Sequence, residues 1–326
     1  MRKISVSGHR AAATHQSIEA GKNMEWLSAL KNAINYMEAH LLEDITAADV
    51  AEAVHMSSFY FQRGFKIVTG YTVGEYLRNR RLYLAGLDVI KGDERIIDIS
   101  CRYGYDTPES FTRAFTRFHG VSPMQLKAQP FRIRTFLPLT VEIAIRGGEQ
   151  MEYTVEKMDA MKMIGFERKV SCENGFRDTP EFWEEFQMRY LSLQPDKEKE
   201  TDRRERAIRE AVRENQVGEF GICFEDGAGS EYFRYVIAGR YRGGAVPEGM
   251  KVFEIPACTW AKFKCTGPMP EAIQAVNTRI YKEWLPGNPE YEIAANIDME
   301  WYSKGEPESS DYESAVWIPV KRRSKA

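Results

Sequence analysis

The chain has 326 residues, of which 43% are hydrophobic and 29% charged, with a net charge of −3. This is the balance of a folded chain of about two domains at ~100–200 residues each, and the charge does not by itself suggest nucleic acid. The five cysteines (Cys101, Cys172, Cys223, Cys258 and Cys265) form no C-x-x-C and no Cys–His zinc spacing, which excludes a disulfide framework and fits thiols in a reducing, cytoplasmic compartment.

The first residues, MRKISVSGHRAAATHQ, start basic but lack the apolar core of a signal peptide. Residues 1–23 are expected to be a disordered tail, and Met24 is a candidate start. Residues 24–129 form the first expected domain. Residues 1–129 hold 16 basic against 14 acidic residues and the remainder 29 against 34, so any basic surface here comes from arrangement and not from excess.

Residues 45–70 read as two short helices. Val50, Ala51 and Val54 give the first its apolar spacing. A serine after His55 caps the second, whose stripe is Phe61, Phe65 and Val68 and which closes at Gly70. Residues 94–120 repeat the plan. Asp98-Ile99-Ser100 answers Asp49-Val50-Ala51, and Phe111-x-Arg113-x-Phe115 answers Phe61-x-Arg63-x-Phe65 fifty residues earlier. The second turn, around Gly104, is one residue longer. Asp106 or Thr107 caps its second helix, and Pro108 fits the first turn. Each copy is a helix-turn-helix.

Arg63 and Arg113 point away from the phenylalanine stripes. Arginine pairs bidentately with guanine, and Gln62 suits adenine. Ser57, Ser58, Thr107 and Ser110 at the helix starts suit phosphate contacts. A helical rod over residues 74–93 separates the units by a length that suits one DNA turn, ~34 Å. Its Arg78, Arg80 and Arg81 form a solvated face or contact the DNA backbone.

The tail of the second unit, IIDISCRYGYDTPESFTRAFTRFHGVSPMQLK, carries a Gly-aromatic pair, then Phe-x-Arg-x-Phe, then Gly-x-x-Pro. In these features residues 25–128 resemble the DNA-binding domain of the AraC/XylS family. The resemblance implies an all-α, homeodomain-like double helix-turn-helix that reads double-stranded DNA through Phe59, Gln62 and Arg63 of the first unit and Glu109 and Arg113 of the second. Glu109 either accepts from cytosine N4 or repels phosphate.

Residues 130–150 turn β-branched at LTVEIAI and read as a junction and entry strand. Residues 151–323 read as an α+β domain with an antiparallel sheet and two duplicated β-α-β-β halves. The charge run at 195–216 reads as a solvated helix or loop. Glu300 and Tyr302 lie two apart on a strand, hence on one face. With Trp317, Trp183, Trp260, Tyr235 and Phe176 they offer a carboxylate among aromatics, a setting for a cationic or polarisable small molecule. No phosphate loop, nucleophile–base arrangement or metal cluster is present, so no cofactor, metal or catalytic residue is expected.

The segment DMEWY (Asp298–Tyr302) and the terminal SAVWIPVK (Ser314–Lys321) resemble the gyrase-inhibitor-like effector-binding domain of multidrug-sensing regulators. That resemblance implies Glu300 as ligand anchor, with Tyr302 and Trp317 lining the pocket. Together the two resemblances imply a bacterial transcription regulator with DNA, a small-molecule effector and RNA polymerase as partners. Two alternatives stay open for the second domain: hydrolysis of a reactive small molecule, or binding of a protein partner. One chain carries two reading heads, so DNA binding demands no dimer, and the sequence fixes no oligomeric state.

Overall fold

A computed structural model describes residues 25–141, 151–172, 174–191, 202–226, 230 and 232–323. The expected tail at 1–23 and most of the expected entry strand lie outside them. The chain divides into two compact units, one over Leu27–Ile145 and the other containing Arg146–Ala326.

In the first unit α1 (Glu25–Ala39) precedes α2 (Ala47–Ala53) and α3 (Ser58–Thr69), then the long α4 (Val73–Lys91). The second helix-turn-helix is α5 (Ile96–Arg102) and α6 (Pro108–His119), followed by α7 (Pro123–Ala128). The starts are written in the caps. Thr46 with Asp49 and Thr72 with Glu75 form capping boxes, and Ser57 and Thr107 cap α3 and α6. Each such cap supplies an acceptor for an orphan N–H, worth about 1 kcal/mol. Both α3 and α6 close on a left-handed glycine, Gly70 and Gly120. The turns hold four residues in the first unit and five in the second, as the offset of the repeated pattern requires.

Phe61, Phe65, Phe111 and Phe115 are fully buried, so the repeated phenylalanines are the two cores. Two arginines of the rod bond within the unit: Arg80 is buried, off the solvated face, and Arg81 is half-buried. Arg80 is 5% exposed. Its Nε and Nη2 donate to Oε1 and Oε2 of Glu38, both at 2.7 Å. Tyr76 Oη donates to the same Oε1 at 2.7 Å. Arg81 donates to the carbonyls of Leu41 and Glu43 at 2.6 Å each. These bonds fasten α1 and the chain after it to α4.

The second unit contains a nine-stranded antiparallel sheet. Each region read as one strand before a helix is two strands: β1 (Tyr153–Met158) with β2 (Met161–Ser171), and β5 (Lys251–Ile255) with β6 (Cys258–Thr266). The helices α8 (Gly175–Phe186) and α9 (Arg203–Glu214) and the strands β3 (Phe220–Glu225) and β4 (Tyr232–Arg240) complete the first half. In the second half α10 (Glu271–Arg279), β7 (Tyr291–Ile293), β8 (Ile297–Tyr302) and β9 (Glu313–Arg322) follow. The halves are therefore not β-α-β-β; each opens with two strands. The charge run gives α9, which buries Ile208, Ala211 and Val212.

Strand register explains the architecture. β1 pairs with β6 from Tyr153↔Phe263 to Met158↔Cys258. β2 pairs with β5 from Met161↔Ile255 to Gly165↔Lys251. The two ladders share one register, interrupted only at the bends Asp159-Ala160 and Pro256-Ala257. Two long bent segments thus pair along their length. With β4, β3, β8 and β9 they close a ring of six, each with a neighbour on both sides. The inward residues pack on one another: Met163, Phe220, Ile222, Trp260, Met299 and Trp317 share one buried cluster. Phe224 of β3 stacks on Phe253 of β5 across the ring, centroids 5.8 Å apart. The helices lie outside, α8 through Phe186 against Phe166.

Glu38→Ala leaves the Arg80 guanidinium buried without its counter-charge, and is expected to lower unfolding stability by about 3 kcal/mol. Glu38→Met combined with Arg80→Met is expected to cost less than the single change. Urea denaturation followed by helical circular dichroism separates the two outcomes.

Candidate functional site

Two groups of side chains answer to the expected sites. The first lies on α3 and α6. On α6, Glu109 and Arg113 are exposed on the face opposite Phe111 and Phe115. Thr116 is exposed on the same face and Arg117 on its flank. Sequence reading passed over both, although the spacing 109, 113, 116 carries the signal. Thr107 Oγ accepts from Ser110 N at 3.1 Å, and Ser110 Oγ donates to Thr107 O at 2.8 Å.

The matched face of α3 differs. Ser57 Oγ accepts from Tyr60 N at 3.5 Å, and Gln62 Nε2 donates to Ser58 Oγ at 2.9 Å. Gln62 and Arg63 are half-buried. Phe59, which aligns with the exposed Glu109, is only 4% exposed. Lys66, the counterpart of Thr116, is bound to Glu75 on α4 at 2.9 Å. The two copies therefore share a core and differ in what their outward faces present.

The second group sits on the outer face of the ring. Glu300 neighbours the inward Met299 on β8, so it points out. Its Oε2 accepts from Tyr235 Oη of β4 at 2.9 Å and from Tyr302 Oη of β8 at 2.8 Å. Trp183 Nε1, from α8, donates to Tyr235 Oη at 2.8 Å. The Trp183 ring meets the Tyr302 ring edge-on, centroids 5.0 Å apart. Four of the expected residues thus form one hydrogen-bonded chain, Trp183 to Tyr235 to Glu300, with Tyr302 closing on the same oxygen.

A glycine that sequence reading left out makes this possible. Gly221 on β3 lies directly opposite Glu300. A Cβ there would stand 2.1 Å from Tyr235 Oη and 3.1 Å from Glu300 Oε2. Glycine inside a strand is the signal for such a close approach.

The phenols are held protonated. Burial raises Tyr235 well above its ordinary value, and the Glu300 charge and then Cys223 push the same way. Tyr302 is raised by burial, then by Glu300 and Tyr235. Burial also pushes the Cys265 thiol up to about 11.

Two expected residues do not join this chain. Trp317 and Trp260 point into the ring, where they pack together with centroids 6.3 Å apart and Lys262 Nζ lies 4.0 Å over the Trp317 ring. Phe176 belongs to α8, but its side chain lies outside the described residues. Among the described residues no cluster of His, Cys, Asp and Glu could hold a metal, and no helix is long and apolar enough to cross a membrane.

The first unit is an AraC-type helix-turn-helix domain and the second a gyrase-inhibitor-like effector-binding domain. Residues 154–320 match the integron-associated effector binding protein family, and the chain belongs to it. Residues 50–129 match the helix-turn-helix domain family. Similar proteins include the uncharacterized HTH-type transcriptional regulator YbfP of Bacillus subtilis (strain 168), 36% identical over 100 residues, 31% of this chain and 34% of that protein. The right origin-binding protein of Escherichia coli (strain K12) is 26% identical over 171 residues, 50% of this chain and 58% of that protein. The chain thus spans between a third and about three-fifths of these relatives' lengths. A solved structure, SAV2435 bound to tetraphenylphosphonium, is 18% identical with a TM-score of 0.43, covering 52% of this chain and 94% of that one.

Tyr235→Phe leaves the Trp183 N–H without its acceptor and is expected to cost about 1–3 kcal/mol of stability. Gly221→Ala is expected to cost at least as much in the native background and less in Tyr235→Phe, where the colliding oxygen is gone. Urea midpoints of the three variants test this coupling.

Raised phenol and thiol values stabilise the fold fully below the unfolded-state values, about 10 for tyrosine and about 8.5 for cysteine. That contribution is lost as pH rises through the folded values. Unfolding midpoints are therefore expected to fall steeply above about pH 10, and less steeply in Tyr302→Phe.

Proposed function

We propose that this protein is a cytoplasmic transcription regulator. Its AraC-type unit reads double-stranded DNA through α3 and α6, and its second unit binds a small effector at Glu300. The observation that carries the reading is the position of Glu300. Its carboxylate lies on the outer face of a closed ring, and it accepts hydrogen bonds from two phenols. Both phenols lie far above their ordinary range, so neither gives up its proton at neutral pH. A carboxylate set among Trp183, Tyr235 and Tyr302 suits a cationic or aromatic ligand, through charge and through contact with the ring faces.

On the DNA side, Arg113 and Glu109 stand exposed on α6, with Thr116 one turn on. Arg113 suits guanine O6 and N7 in the major groove. Arg63 and Gln62 supply the first reading head, and Ser57, Ser58, Thr107 and Ser110 lie at the ends that approach phosphate. RNA polymerase is the further partner this role calls for. Effector binding alters regulation to the extent that the ligand prefers one DNA-binding state over another.

DNA sites selected from a random pool at about 150 mM salt test the first half of the reading. Arg113→Ala and Arg63→Ala are each expected to lose about 1–3 kcal/mol of preference for the selected site over random DNA. No enriched site for the native protein would overturn the DNA reading. Titration calorimetry with a panel of aromatic cations and neutral isosteres tests the second half. Glu300→Gln is expected to weaken the cations about tenfold or more and to leave the isosteres nearly unchanged. Equal loss for both sets would sink the charge-pairing role.

A further inference from the structure

Residues 133–141, after the short turn Pro130–Arg132, lie in no helix or strand, yet they are not loose on the surface. Ile133, Phe136 and Leu139 are half-buried, and the residues between them are exposed. A spacing of three is the period of an extended polyproline-like chain, which makes no hydrogen bonds of its own. Its backbone groups must find partners elsewhere, and here side chains of the first unit provide them. Arg134 N donates to His119 Nδ1 of α6 at 3.1 Å. Arg80 Nη1 of α4 donates to Phe136 O at 2.5 Å. Leu139 N donates to Tyr76 Oη of α4 at 3.4 Å.

Each of these partners is itself fixed. Arg80 and Tyr76 are held by Glu38 of α1. His119 Nε2 lies 3.0 Å from Leu82 O, so that nitrogen carries the proton and Nδ1 is left to accept. The ring reaches α4 only because residue 86 is glycine: a Cβ there would lie 2.8 Å from two of its ring atoms. Phe136 meets Tyr71 after the first recognition helix (5.3 Å), Tyr76 on the rod (6.0 Å) and Phe118 on the second recognition helix (6.3 Å).

One ring therefore touches the residue that follows the first helix-turn-helix unit, the second unit and the helix between them. We propose that residues 133–139 are a brace that fixes the distance between the two recognition helices, so that docking or release of this segment sets how strictly the two heads demand their half-site spacing. The proposal rests on the DNA-binding reading for its consequence but not for its geometry, and the experiment separates the two.

The full chain would carry nitroxides at Glu52→Cys on α2 and Arg117→Cys on α6, with Cys101, Cys172 and Cys258 replaced by Ser. Both labelled residues are exposed. Pulsed dipolar spectroscopy is expected to give one narrow distance in the native background, a broad distribution in Phe136→Ala, and a narrow one again in Phe136→Leu, which refills the site. Tyr76→Phe, which loses the Leu139 and Glu38 bonds and keeps the ring, is expected to broaden it part-way, more than Glu38→Gln, which perturbs the Glu38 end alone, and it covers the case in which Phe136→Ala does not fold. An unchanged narrow distance in the folded Phe136→Ala variant, or in Tyr76→Phe if that is the one that folds, overturns the brace.

In the second arm, the selected DNA site is altered by one base pair between half-sites. The native protein is expected to lose about tenfold in affinity and Phe136→Ala markedly less. Equal losses overturn the link to spacing. If no site is selected at all, the DNA reading has failed, and the distance measurement still decides the brace.

Discussion

The second unit depends on one ladder. Residues 153–165 pair with 251–263 in a single register that survives two bends. A slip of one residue would turn Met163 and Trp260 outward and bring their neighbours in, because side chains alternate across a strand. The ladder closes the ring, and the closed ring lets its inner face bury itself without a covering helix. That frees the outer face. Glu300 can stand there among hydroxyl and indole groups because stability is supplied from the inside by Phe220, Met299 and Trp317.

The first unit is governed by more local rules. Its helix starts and stops were legible because caps act over three or four residues: Thr107 before Pro108, Ser57 before Ser58, Gly70 and Gly120 at the ends. The repeated Phe-x-x-x-Phe spacing named both cores correctly. The fate of Arg80 was not legible. A basic residue on a long helix reads as solvated, and only the return of α1 brings Glu38 beside it. That partner lies 42 residues away, and no local pattern announces it. The pair costs desolvation of two charges, and the bidentate geometry with Tyr76 as third member offsets it.

In the second unit the residues of the carboxylate site were legible where they shared a strand and illegible where register decided. Glu300 and Tyr302 are two apart, so one face follows at once. Trp317 and Trp260 looked like equal candidates, yet their direction is fixed by pairing to Met299 and to β9. The double strands before each helix were missed because Asp159-Ala160 and Pro256-Ala257 are bends, with no loop of turn residues between the strands. Gly221 carried a signal that composition alone does not weigh: a lone glycine in the apolar stretch FGICF, where only a close contact justifies the lost side chain.

Ring closure also decides what the sheet shows to other chains. Among the described residues, the flanks without a partner strand are those of the short β1, β5 and β7 and of residues 166–171 of β2, beyond the end of β5. β1 carries the exposed Glu156 and Lys157, and β5 the exposed Lys251 and Glu254. Exposed backbone of that length and polarity is a poor template for another strand. A domain sealed in this way brings little stickiness with it when it is joined to something else. Low stickiness at its edges is what lets a domain sit beside another in one chain without the two exchanging strands.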